Sequence, residues 1–267
     1  MPTELVRTGI GDHRRGLLAW SLGIVGYIAL IAAIFPSIEG SPDFNQLLES
    51  YPEVLRSLFG LSEGTDITSG PGFLDVELFS FMLPLLVLVQ AIGAGAGTFA
   101  GEEDAGRLEL VLAYPVRRRD AVLARGIAVA AQVLVLCVAA GAAMLVLDPF
   151  LGLGLARENV LAAVSGLAAI GLFHGWLALG LGAAVPSRAV AIGIPAGVAA
   201  TAYLVNGLHA VAGWLDPFRV LSPFWLVGSS PLQTGIDWLG ALIVVLAGAV
   251  ALAGGAVLVE RRDLRTP

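Results

Sequence analysis

The sequence predicts an all-α membrane protein of six transmembrane helices with both termini cytoplasmic. Three observations carry that prediction. Of 267 residues, 57% are hydrophobic and only 13% charged, with a mean hydropathy of +0.85, whereas soluble domains carry about a quarter charged residues. Apolar runs of the roughly 20 residues needed to cross a hydrocarbon core recur near 17–38, 76–98, 125–147, 159–184, 189–212 and 236–259. The arginines divide unevenly between the connecting segments. With the N-terminus inside, twelve of the fifteen fall on inner segments, and only Arg56, Arg157 and Arg219 on outer ones. Backbone groups in lipid must pair internally, and no barrel-type alternation is present, so the runs are helices.

Span one follows Arg14 and Arg15. Its run from Leu17 to Ile38 exceeds the roughly 7–15-residue core of a cleaved signal peptide and ends in Phe-Pro, so it reads as a retained span. The outer loop 39–75 carries seven acidic residues and one arginine, a net charge of −6. Within it Leu47, Leu48, Tyr51, Val54, Leu55, Leu58 and Phe59 recur at helical spacing. That spacing predicts one or two short amphipathic helices on the outer membrane surface.

Span two leads into the inner loop 99–124. The stretch GEEDAGRLELVLAYPVRRRDAVLAR, residues 101–125, holds ten charges between two membrane-length runs. Leu108, Val111 and Leu112 fall at i, i+3 and i+4, one face of a helix. Pro115 ends that helix, because the residue before a proline disfavours the helical region. Arg117, Arg118 and Arg119 form a collar, and Asp120 reads as the N-cap of span three. Lipid phosphates account for the collar. They do not account for a short helix with its own apolar stripe, which must lie on lipid or on a partner protein.

Spans four and five are separated only by VPSRA, so a count of six rather than five rests partly on that break. Between spans five and six, Trp214, Phe218, Phe224 and Trp225 suit a membrane interface. Pro217, Pro223 and Pro231 break this segment, and its apolar character is compatible with an outer element that re-enters the membrane partway. No internal repeat or linker divides the chain, so residues 1–267 read as one transmembrane domain.

The chain excludes several chemistries. Its one cysteine, Cys137, allows no internal disulfide and no cysteine-based metal site. All fifteen basic residues are arginine, so no P-loop lysine exists and nucleotide hydrolysis by that route is ruled out. Neither G-x-S-x-G nor H-E-x-x-H occurs. Polar groups inside the spans are few, among them Gln90, Gln132, His174 and Asn206, and none forms the carboxylate chain of an ion-driven pump. Gln90, His174 and Asn206 are candidates for a substrate pathway, although for His174 an interhelical hydrogen bond is favoured over a ligand role. Gly93 and Gly97, Gly171 and Gly175, and Gly193 and Gly197 have the spacing that lets helix backbones approach closely. The pair Gly193 and Gly197 is the candidate for helix packing or a dimer interface, against the alternative that a glycine-rich chain makes such pairs by chance.

The stretch AGEEDAGRLELVLAYPVRRRDAV resembles the cytoplasmic loop of ABC-2 type transporter permeases. Glu102, Gly106, Leu108, Glu109, Leu110, Leu112, Pro115, Val116 and Arg118 match that family's pattern. Arg107 stands where threonine is common and Val111 where leucine is commoner. The preceding span with Pro84, the six spans and the proline-rich outer element are similar as well.

The resemblance implies the membrane subunit of an ATP-driven exporter. Two permease subunits, identical or homologous, would pair in the cell membrane, and each would dock a cytoplasmic ATP-binding subunit that carries ATP and Mg. The permease itself would be non-catalytic and bind no cofactor, metal or nucleic acid. The loop after span two would be the coupling helix, with Glu102, Glu103, Gly106, Arg107, Leu108, Glu109, Leu112, Pro115 and Arg118 meeting the ATPase. Residues 4–16 would include an interfacial helix beside it. A pathway of Ala, Gly, Leu and Val suits a hydrophobic or amphipathic cargo: a drug, a polyketide-like compound, a lipid or a peptide. The alternatives are an autonomous secondary transporter or membrane enzyme, and a membrane anchor for a cytoplasmic complex.

Overall fold

Apolar helices in lipid gain little from burying hydrophobic surface against one another, so close backbone approach and polar ties decide how they pack. The structure, a computed structural model, describes residues 14–39, 50–58, 67–104 and 117–261. Among these residues it is helical throughout, with no strand. Six helices are long and apolar enough to cross a membrane: Arg14–Ser37, Gly70–Thr98, Arg118–Leu151, Arg157–Ala184, Arg188–Leu208 and Trp238–Arg261, hereafter spans one to six.

Span four is the hub, packing along spans two, three, five and six, while span one lies mainly on span three. Its buried face is built of small residues, among them Ala163, Gly166, Ala168, Gly171, Gly175 and Gly180. A side chain at Gly95 of span two would run into the Gly175 carbonyl oxygen. One at Gly180 would strike the backbone of Ala251 in span six. Spans two, four and six therefore meet backbone to backbone. Gly171 lies against Val87, and Gly175 against Ala91, so spans two and four run parallel in one register.

Two boundaries differ from expectation. Span two begins at Gly70, because Ser69 accepts a hydrogen bond from the Gly72 amide and Pro71 opens the first turn. A π-helical turn, Asp75–Phe79, then precedes the regular helix Met82–Thr98. Asp75, expected at the end of an exposed loop, is thereby buried at 2% exposure. Span three begins at Arg118 with Arg117 as its N-cap residue. Asp120 lies inside the first turn, where its charge still complements the helix dipole without capping the end.

The connection between spans three and four turns through Gly152 and Gly154, both at positive φ. Span five bears an open outward face with Ile192, Ile194 and Val198 exposed. The segment between spans five and six folds into short helical turns at Gly213–Leu215, Asp216–Arg219, Pro223–Val227 and Pro231–Thr234. Phe224, Val227 and Leu232 are buried within the bundle, and Trp214 and Leu221 stay exposed. The amphipathic stretch expected around 47–59 is described only from residue 50 to 58. There a helix at Glu53–Leu58 carries Val54 and Leu55 about 40% exposed.

Candidate functional site

Two places in this bundle are candidates for a functional site. The first is a groove of about 640 Å³ between spans two and five. Phe81, Leu85, Leu88 and Ile92 line one wall and Ile192, Ala196, Ala199 and Tyr203 the other. The stripe from residue 81 to residue 93 covers about 18 Å of helix. Pro84, Tyr203 and Phe224 also border a smaller cavity of about 70 Å³ toward the outer element, where Ser80, Asn206 and Ser229 contribute polar groups. The slot is thus apolar along its length and polar at one end. Tyr203 stacks at 5.4 Å from Phe81 and 5.8 Å from Phe224, closing that end with aromatic rings.

Of the three expected pathway residues, only Asn206 lines either cavity. Gln90 and His174 are buried in the bundle instead. Gln90 Nε2 donates to Gln132 Oε1 at 2.8 Å, tying span two to span three. His174 is fully buried, and its Nδ1 bonds the Ile170 carbonyl at 2.9 Å. That partner is on the same helix, so the interhelical bond expected of His174 is replaced by a bond within span four. Gln90 Oε1 and His174 Nε2 have no hydrogen-bond partner among the described residues.

Sequence reasoning missed Asp75. Its carboxylate accepts hydrogen bonds from the Leu232 amide at 2.9 Å, the Gln233 amide at 3.2 Å and Gln233 Nε2 at 3.3 Å. A carboxylate does therefore lie within a span, but its oxygens are engaged by the outer element. Nearby, Asn159 Nδ2 donates to the Leu232 and Gln233 carbonyls at 2.9 and 3.2 Å, so span four grips the same turn. Farther along the outer element, Arg219 lies 5.8 Å over the Trp225 ring. Its burial pulls the guanidinium below its ordinary pKa, while neighbouring Asp216 opposes that shift.

The second place is the base of the loop after span two. The short helix Ala100–Asp104 continues from span two and carries Glu102 and Glu103. Across from it, Arg125 Nη2 meets Glu102 Oε2 at 2.5 Å, and Nη1 donates to the Thr98 carbonyl. Arg119 lies 3.6 Å from Asp120 and 3.7 Å from Glu260, linking span three to the end of span six. Arg118 is half-buried at the first turn of span three. Gly106, Arg107, Leu108, Glu109, Leu112 and Pro115 lie outside the described residues, as does most of the interfacial helix expected at 4–16; residues 14–16 belong to span one.

Among the glycine pairs, Gly171 and Gly175 pack inside the chain against spans two and three. Among the described residues, Gly93, Gly97, Gly193 and Gly197 each face open space.

A comparison with protein-family profiles matches residues 12–264 to the family described as ABC-2 family transporter protein. The chain belongs to the ABC-2 transporter family. It is a multi-pass membrane protein of that family, with six membrane-length helices. Comparison with curated proteins finds no match.

Proposed function

We propose that this ABC-2 family chain is the membrane subunit of an exporter in the cell membrane, with both termini cytoplasmic. A separate subunit would hydrolyse ATP. The family match over residues 12–264 carries the reading, and the lack of any lysine, hence of a P-loop, supports hydrolysis by another chain. The arginine distribution supports a cytoplasmic position for the loop after span two. There the stretch from Glu102 to Arg118 would couple the chain to the ATPase, with Leu108 and Leu112 on the apolar stripe and the charges around it. The segment between spans five and six would serve as the re-entrant outer element.

Two permease copies, identical or homologous, would pair through span five, where Gly193 and Gly197 face open space among the described residues. The groove between spans two and five would take a hydrophobic or amphipathic cargo, its apolar body along Leu88 and Ala199 and its polar end near Asn206 and Ser229. ATP-driven closure of the ATPase pair would push on the loop and shift spans two and five against each other, a rigid-body switch biased by a ligand bound elsewhere.

The test is affinity purification of the full chain from its native membrane. An ATP-binding subunit should come with it, and replacing Glu102, Glu103 and Leu108 together should abolish cargo-stimulated hydrolysis. Stimulated hydrolysis at the wild-type level in that triple variant would overturn the coupling assignment. Ion-gradient-driven transport by the purified chain alone would establish the secondary-transporter alternative.

A further inference from the structure

Arg125 lies two turns inside span three, yet it is 8% exposed and carries a charge that hydrocarbon does not tolerate alone. Its two donors go to the far side of the loop. Nη2 pairs with Glu102, and Nη1 bonds the carbonyl of Thr98, the last residue of span two. The carbonyls at a helix end lack intrahelical donors and carry partial negative charge, so a cation there is held by the helix as well as by the carboxylate. Thr98 and Glu102 precede residues 105–116 and Arg125 follows them. One planar guanidinium thus closes the base of the loop.

The position of Arg125 is itself fixed by its neighbours. Trp176 Nε1 of span four donates to the carbonyl of Gly126 at 2.9 Å. Gly126 also lies against the Leu252 side chain of span six, which would have to shift to admit a side chain there.

We infer that Arg125 is a positioning residue for energy coupling. It holds the two ends of the loop as one unit, so a push on the loop moves spans two and three together. Glu102 then acts through Arg125 rather than by touching the ATPase. This rests on the exporter reading above and names a residue that the loop pattern does not contain.

The experiment uses the full chain with its ATP-binding subunit in lipid nanodiscs, in a Cys137→Ala background. Spin labels are placed at Gly101, where a side chain meets nothing closer than 3.5 Å, and at Leu123, which is 43% exposed. A single narrow separation is expected for the otherwise unchanged chain. Arg125→Gln and Glu102→Gln should each broaden it and lower hydrolysis by the complex at least about thirtyfold, the low end of the scale for breaking a buried charge pair, with the ATPase still bound. Arg125→Lys, which keeps the charge but loses the fork, should fall between.

Unchanged separations in both Gln variants would overturn the inference. So would release of the ATPase by Glu102→Gln but not by Arg125→Gln, because Glu102 would then be a direct contact. A chain that purifies with no ATPase would overturn the exporter reading, and the spin-label separations would still decide whether Arg125 sets the base of the loop.

Discussion

The Asp75 carboxylate and the Leu232 amide, 157 positions apart in sequence, are joined by a 2.9 Å hydrogen bond. The bond pins the π-helical start of span two to the last turn before span six, and the two Gln233 donors complete the set. A carboxylate at 2% exposure is retained because each of these donors compensates its removal from water.

Replacing Asp75 by alanine leaves two backbone amides without acceptors. A loss of about 2–4 kcal/mol is expected from the unsatisfied donors. Asp75→Asn should cost less, since its carbonyl still accepts one bond while its NH2 opposes the other donors. Unfolding of the two variants in detergent gives the order directly.

The Gln90–Gln132 pair makes a prediction by non-additivity. Either Gln→Leu change alone leaves one amide in an apolar site and should destabilise by about 1 kcal/mol, whereas the double change should cost less than the sum. A double-mutant cycle on unfolding free energy measures the difference.

Glycines on different faces should fail in different ways. Gly175→Val forces apart spans two, three and four, where a side chain already meets Val129 and Ala91, so little folded protein should be recovered. Gly193→Val and Gly197→Val fall on open surface, so the monomer should fold normally. They should instead weaken permease pairing, seen as a shift from dimer to monomer mass in nanodiscs.

Filling the groove should block cargo without touching the bundle. Ala196 lines the slot from an exposed position on span five. Ala196→Trp should lower efflux from cells while leaving the thermal unfolding midpoint within a few degrees, as for surface changes of about ±0.5 kcal/mol. Efflux at the unsubstituted level would place the pathway elsewhere.

The six crossings were legible because each is a run of apolar residues long enough to count, even where only VPSRA parts spans four and five. Asp75 was not, because hydropathy sees a loop where acidic residues cluster. The Ser69-Gly-Pro start of the helix was a local signal that could have extended span two, as capping serine and early proline mark a first turn. The Gln90–Gln132 tie was half legible, since two amides in adjacent apolar spans have few other partners. Arg125 read as one charge among ten, because its pairing with Glu102 exists only once spans two and three lie side by side. The bond from His174 to Ile170 is local, but nothing in the residue types favours it over a neighbouring helix.

The backbone interlock at Gly95–Gly175 and Gly180–Gly255 leaves spans two, four and six no clearance to slide or rotate on one another. Under the exporter reading, a push on the loop would carry this trio, with span three tied to it, as a solid keel. The relative swing would then fall to the lightly seated flanks, spans one and five, where the glycines keep out of contact.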